Sequence, residues 1–480
     1  MVQLKGLEEK KHAFFDWRHL LVHNDTAGSV KYNEQFTTLV PMVIAIVISR
    51  IKQLLMMPIK RFGALGTLLE QRLFCHHCRT PFVQQNNISF HCIMIFSLVE
   101  ALSCVSKGGS QMETVQHIIA IDELEQRITR MAKQMENRSP HASDSSGRYG
   151  DMPVSWWTSG FYPGLLWLMH DVTGNAFFKN QAEGWSRKIE EAFQEHPIIL
   201  HHDVGFQFLL TAVMEYEQTG SEDGLRIGLK AANYLAGRFN PIGGFIKAWN
   251  GDDKKGWAII DCMMNISLLY WASRVTNDPS YGQIASAHAN TTLQWGVRDD
   301  GSTSHILSFN SHTGEFIESI GGQGYGPESA WSRGNAWALY GFANACRHTG
   351  KRAYLHAAKR IAHFFLAALP EDNVPYWDFR CGGEEEEPRD SSAAAIAASG
   401  LLEIEAQVPQ REKRMYRRAA EKILQSLSTH YLASDESEAI LTKATGNAPQ
   451  GRDINVSLIY GDYFFAEAIA KRNGWQRRIF

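Results

Sequence analysis

Between Trp157 and Asp462 the chain repeats one arrangement five or six times: a short polar cluster opens a helix-length segment that is apolar on all sides. The clusters read Trp156-Trp157-Thr158-Ser159-Gly160-Phe161, His201-His202-Asp203-Val204-Gly205-Phe206, Ile260-Asp261-Cys262-Met263-Met264-Asn265, Trp331-Ser332-Arg333-Gly334-Asn335-Ala336-Trp337, Arg389-Asp390-Ser391-Ser392 and Tyr460-Gly461-Asp462-Tyr463. Four of the segments run into a similar turn: Thr173-Gly174-Asn175, Thr219-Gly220-Ser221, Thr276-Asn277-Asp278 and Thr349-Gly350-Lys351. Glycine or asparagine at such a place suits a left-handed helix C-cap.

An amphipathic stretch follows each turn. Phe178, Ala182, Trp185 and Ile189 step by four, three and four, and Tyr354, Ala358, Ile361 and Phe365 keep the same rhythm. A period near 3.6 buries one face of a helix. The repeating unit is thus an inner helix, apolar all round, followed by an outer helix with one apolar face. Inner helices are expected to start near 158, 203, 261, 333, 390 and 461, and outer helices to occupy 117–137, 176–195, 221–237, 278–295, 351–369 and 411–431. Strand signals are sparse. Six pairs close an all-α (α/α)6 barrel, whose parallel inner helices bring their polar openings to one mouth; a solenoid, the alternative, would spread them apart.

Composition fits an enzyme-sized chain. The 480 residues are 44% hydrophobic and 11% aromatic, enough to bury one large core. A net charge of -3 gives no basic surface for nucleic acid. The apolar run Leu39–Ile48 is too short to span a bilayer and too far from Met1 for an ordinary signal peptide, so neither membrane insertion nor secretion is expected and the location is taken as cytoplasmic. Beyond residue 114, Cys262, Cys346 and Cys381 suggest no disulfide framework, which also favours a reducing compartment. Residues 1–114 lie outside the repeat and read as an N-terminal extension, with the catalytic barrel over 115–480. In that extension Cys75, Cys78, Cys92 and Cys104, with His76 and His77, have zinc-ligand chemistry but no flanking pattern of a compact zinc module.

Two carboxylates carry the candidate chemistry. Asp203 and Asp261 open neighbouring inner helices, Asp261 directly after the apolar Ala258-Ile259-Ile260. Either could simply cap its helix, because an aspartate side chain accepts the free N–H groups there. As a pair they suit acid/base work: a helix N-terminus favours the charged form, but burial and a second carboxylate nearby raise a pKa, and the pair would titrate as a unit. Arg333 opens the fourth inner helix and could bind an anionic group or pair with a barrel aspartate. Indole faces match sugar rings, and Trp157, Trp249 and Trp337, among thirteen tryptophans, lie nearest the polar openings.

The segments Ser155–Phe161, His202–Phe206, Ile260–Asn265 and Trp331–Trp337, in this order, resemble glycoside hydrolase family 88, the unsaturated glucuronyl hydrolases; the likeness runs from about residue 115 to 480. The resemblance implies an (α/α)6 barrel that removes a 4,5-unsaturated uronic acid from the non-reducing end of lyase-generated oligosaccharides. It implies Asp261 as general acid/base and Asp203 as its partner carboxylate. It also implies substrate contacts from His202, His305, Gln323, Arg333 and Trp337, aromatic walls from Trp157 and Trp249, and neither metal nor cofactor. The implied reaction is hydration of a vinyl ether rather than displacement at the anomeric carbon: a proton goes to C4, water adds at C5, and the hemiketal opens to expel the remaining sugar.

Three other readings remain open. Unsaturated rhamnogalacturonyl hydrolases share fold and chemistry but take pectin fragments. An N-acylglucosamine epimerase-like isomerase would need paired histidines, and His201 and His202, as neighbours on a helix, are expected to diverge. A non-catalytic sugar-binding barrel would explain the tryptophans but leaves Asp203 and Asp261 without a purpose.

Overall fold

The computed structural model describes residues 118–195, 199–382 and 387–480; the Cys75–Cys104 set lies outside these. In chain order the helices are α1 (Ile121–Met135), α2 (Phe161–Thr173), α3 (Ala176–Ala182), α4 (Trp185–Glu190), α5 (Ala192–Glu195), α6 (Val204–Phe208), α7 (Met214–Thr219), α8 (Glu222–Ala236), α9 (Cys262–Asn265), α10 (Ser267–Thr276), α11 (Pro279–Trp295), α12 (Ser332–Thr349), α13 (Arg352–Ala367), α14 (Ser391–Gln407), α15 (Gln410–His430) and α16 (Ile459–Arg472). A π-helical turn, Leu209–Val213, joins α6 to α7.

These sort into two rings. The inner ring is α2, α6 with α7, α9 with α10, α12, α14 and α16, and each member packs on the next until α16 meets α2 again, which closes an (α/α)6 barrel. The inner helices are buried on every side over most of their length, as α14 is from Ser391 to Ile404, while α7 at the end of the second buries only Met214. The outer helices bury one stripe: Leu124, Ile128, Met131 and Met135 on α1, and Tyr354, Ala358, Ile361 and Phe365 on α13. All four anticipated turns take the left-handed conformation, with φ of 72° at Gly174, 74° at Gly220, 55° at Asn277 and 70° at Gly350.

Two expectations needed correction. The stretch 176–195 is not one helix but α3, α4 and α5, broken at Gly184, which has φ 89°. The third inner helix is interrupted after Asn265, where that side chain donates to the carbonyl of Asp261 at 3.2 Å and competes with the helical ladder.

Short antiparallel strands fill the connections at the mouth. Strands β1 (Phe239–Asn240) and β2 (Phe245–Ile246) form a hairpin. Strands β3 (Trp257–Ile259), β4 (Ile306–Phe309) and β5 (Phe316–Ile320) form a sheet, and β6 (Ala444–Asn447) pairs with β7 (Arg452–Val456). No helix among the described residues is long and apolar enough to cross a membrane.

Candidate active site

Strand register brings the first set of side chains together. Ile259 at the end of β3 lies opposite Ile306 at the start of β4, which lies opposite Ile320 at the end of β5. The residues just beyond that edge therefore converge: Asp261, His305 and the Gly321–Gln323 turn. Together with the openings of α2, α6 and α12 and the β6–β7 hairpin, they line a cavity of about 660 Å³. Of the nine residues expected at the site, Trp157, His202, Asp203, Trp249, Asp261, His305, Gln323 and Arg333 line it. Trp337 does not.

Trp337 is fully buried and packs against Phe206 and Phe464, at ring distances of 5.0 and 5.3 Å. One turn beyond Arg333 on α12, it lies in the aromatic floor beneath the cavity.

Neither candidate carboxylate caps its helix. Asp203 and Asp261 occupy N-cap positions on α6 and α9, yet neither side chain accepts a capping hydrogen bond. By contrast Asp390, at the start of α14, accepts from the backbone N–H of Ser392 and Ala393. The carboxylate of Asp203 turns to two histidines instead: His201 Nδ1 lies 3.2 Å from Oδ2, and His202 Nε2 lies 3.1 Å from Oδ1. The two imidazoles stack at 5.1 Å. They do not diverge as helical neighbours would, because both precede the first residue of the helix.

The partners split the two acids. His202 Nδ1 donates to the carbonyl of Ala248 at 2.9 Å, which leaves Nε2 facing Asp203. Burial disfavours the His202 charge, but the Asp203 carboxylate outweighs it and holds the pKa above its ordinary value. Burial likewise opposes ionisation of Asp203, and His202 and His201 overcome it, holding this carboxyl well below the usual range. Asp261 has no such support. Desolvation and then the negative charge of Asp203 push it up to about 7, against smaller opposing effects of His202 and Arg333. Its side chain keeps 14% exposure, and its buried Oδ2 accepts no hydrogen bond. The pair expected to titrate as a unit is therefore one settled anion and one acid poised at neutral pH.

His305 completes that corner. The backbone N–H of Gln323 donates to its Nδ1 at 2.8 Å, so the ring proton sits on Nε2, 3.6 Å from Asp261 Oδ2; the nearby Gly321 carbonyl, 3.3 Å from Nδ1, then has no proton to accept. Burial holds His305 neutral, with its pKa down to about 3.

Arg333 is committed elsewhere. Its guanidinium donates to Asp390 Oδ2 at 2.7 Å and to the carbonyls of Thr445 and Gly446, and it stacks over Trp331 and Tyr460. Of the two readings left open for this residue, the salt bridge to a barrel aspartate accounts for its hydrogen bonds. Gln323 donates to the same Gly446 carbonyl at 2.9 Å. Both residues thereby fix the β6–β7 hairpin as a wall of the cavity.

Trp157, 5.0 Å from Tyr460, and Trp249, 6.0 Å from His202 and 6.3 Å from His305, are the aromatic sides. The Trp249 loop is pinned by Arg238, which donates to the carbonyls of Lys247 and Ala248 and to Asn250. Asn265 and Tyr460 carry no sequence signal beyond their place in an opening, and Arg238 and His141 carry none, although His141, like Tyr460, lines the cavity. Among the described residues, the one set with metal-ligand geometry is His201, His202 and Asp203, whose ligand atoms lie within 4.8 Å of one another. The ion pair just described accounts for that closeness.

Comparison with known proteins places the chain in a family. The model of Glycosyl Hydrolase Family 88 matches residues 127–480. An unsaturated glucuronyl hydrolase of Bacillus sp. (strain GL1) is 36% identical over 71% of this chain and 93% of its own length. An unsaturated chondroitin disaccharide hydrolase of Streptococcus pneumoniae is 32% identical over 74% of this chain and 93% of its own. The crystal structure of the unsaturated glucuronyl hydrolase from Bacillus sp. GL1, responsible for glycosaminoglycan degradation, superposes with a TM-score of 0.69 at 34% identity, covering 73% of this chain and 96% of that one.

Proposed function

The chain belongs to glycosyl hydrolase family 88, and from that premise we propose that it releases 4,5-unsaturated glucuronic acid from the non-reducing end of oligosaccharides by hydrating the sugar's vinyl ether. The observation that carries the proposal is the division of labour between the carboxyls. Asp261 is held near pKa 7 beside an Asp203 that stays ionised, so the site presents a carboxyl that can give up a proton at neutral pH and take one back.

The steps follow from that pair. The sugar ring lies between Trp157 and Trp249, with its double bond against Asp261. Asp261 transfers its proton to C4, and the positive charge that develops at C5 and the ring oxygen is stabilised by the Asp203 carboxylate. Asp261, now an anion, takes a proton from water as the water oxygen bonds to C5. The product is a hemiketal, which opens and releases the remaining sugar. The Nε2–H of His305 is an unpaired buried donor beside the acid and suits an oxygen of the substrate. His202 keeps Asp203 charged, while Arg333 and Gln323 hold the hairpin wall rather than the sugar.

The test is direct. Unsaturated disaccharides from chondroitin, hyaluronan, heparin and pectin are incubated with the protein, and the ultraviolet absorbance of the conjugated double bond is followed. Loss of absorbance with glucuronate-containing substrates is expected. Turnover of the pectin-derived fragment alone would replace this reading with that of a rhamnogalacturonyl hydrolase.

A further inference from the structure

Asn265 belongs to neither carboxylate's immediate chemistry, yet it touches both openings. It is fully buried. Its Nδ2 donates to Asp203 Oδ1 at 3.1 Å and to the Asp261 carbonyl at 3.2 Å, while its Oδ1 accepts from the backbone N–H of Phe206 at 2.7 Å. One side chain thus bonds the start of α6, the carboxylate just ahead of it, and the residue that opens α9.

We infer that Asn265 is a positioning residue: it staples the second inner helix to the third and holds Asp203 at its working separation from Asp261. This rests on the acid/base reading of that pair. Two features of the backbone support it. The helices meet so closely that a Cβ on Gly205 would lie 2.5 Å from Asn265 Cα and 2.6 Å from its backbone oxygen and its Oδ1, so glycine at 205 lets the backbones approach within reach of the Asn265 amide. The third inner helix is also interrupted at this residue, between α9 and α10. A strong helix former here would favour an unbroken helix, whereas the asparagine spends its amide across the gap. The sequon Asn265-Ile266-Ser267 has no bearing on this, because Asn265 and Ser267 are both buried in the folded chain.

The groups that face Asp261 are Asp203 and His202 ahead of α6, His305 ahead of β4 and Arg333 on α12. Of these, Asp203 is the one that Asn265 bonds directly. Substitution at 265 should therefore alter catalysis through the Asp203 charge, and the pH profile reads that charge. Asn265→Ala removes all three bonds and lets Asp203 withdraw. kcat should fall about tenfold or more, and the basic limb of the profile should move down by about half a pH unit or more. Asn265→Leu removes the same bonds while keeping the volume, so the limb should move down as well.

Each variant is measured as the full chain on an unsaturated chondroitin disaccharide, with its melting temperature. Lower melting temperatures with wild-type kcat per folded molecule and an unmoved limb would overturn the inference and make Asn265 merely structural. Should the alanine variant fail to fold, the shift of the leucine variant decides alone. Asp261→Asn separates the layers: if it stays active, the acid/base reading fails, and if it is inactive while both Asn265 variants behave as wild type, this inference alone fails.

Discussion

Asp261 and Asp462 open two of the six inner helices, and burial pushes both carboxyls up to about 7. Their surroundings differ. Asp462 is saturated: it accepts from the Tyr149 hydroxyl at 2.7 Å and from the backbone N–H groups of Ile440 and Leu441 at 3.0 and 2.8 Å, with no exposure. Asp261 opens onto the cavity, leaves Oδ2 without a partner and has Asp203 beside it. A raised pKa therefore marks burial in both places, and chemistry in the one where the proton has somewhere to go. The satisfied aspartate ties the mouth segments to α16; the unsatisfied one is the proposed acid.

The sharpest way to break this contrast is Asp261→Asn. The amide is nearly isosteric but cannot protonate carbon, so kcat should fall by about 10²–10⁴-fold with binding retained. Retention of more than about a tenth of the wild-type rate would reduce Asp261 to a structural residue.

Arg333→Ala should act on stability first. It leaves the fully buried Asp390 without its cation and frees the Thr445 and Gly446 carbonyls, a loss of about 3–5 kcal/mol. Unchanged melting together with a weakened kcat/KM would return Arg333 to the list of sugar contacts.

Titration sharpens the comparison further. Asp261 binds its proton more tightly folded than unfolded, so it costs no stability below about pH 4, and the cost grows until pH passes 7. Asp261→Asn removes that cost and should be the more stable protein at pH 8, by up to about 4 kcal/mol, and about equal at pH 4. Wild-type activity should decline above pH 7 as the acid ionises.

For Asp462→Asn the expectation reverses. An amide turns N–H toward backbone N–H donors, so the variant should lose about 1–3 kcal/mol of stability while kcat per folded molecule stays close to wild type. A large drop in kcat with normal melting would contradict the division drawn here. Smallest of all, Trp337→Phe should change KM by less than about twofold, because the indole lies in the floor, and its main effect should be a packing loss of about 1 kcal/mol.

Much of this was legible in the chain. Inner and outer helices differ in apolar periodicity, a local property, and the left-handed caps at Gly174, Gly220, Asn277 and Gly350 follow from residue type. Asp203 and Asp261 stood out because a charge at the head of an apolar helix needs a reason. Trp337 was misplaced because proximity to a polar motif does not say which way a side chain points. Arg333 and Asp390 are 57 residues apart in sequence, and nothing local announces that they pair. The mouth strands are two to five residues long, too short for a periodic signal.

The sequence by itself determined the repeat, the sidedness of each helix and which residues head the inner ring, because these depend on contacts within a turn or two. Tertiary structure decided the chemistry. Two aspartates of the same type, at equivalent ends of neighbouring helices, became an anion and an acid only because folding placed His201 and His202 against one, and desolvation plus the first one's charge against the other. Proton affinity is set by what lies within a few ångströms: His201 and His202 are next to Asp203 in the chain but are turned onto its carboxylate only by the fold, and Asp203, His305 and Arg333 reach Asp261 from segments far apart.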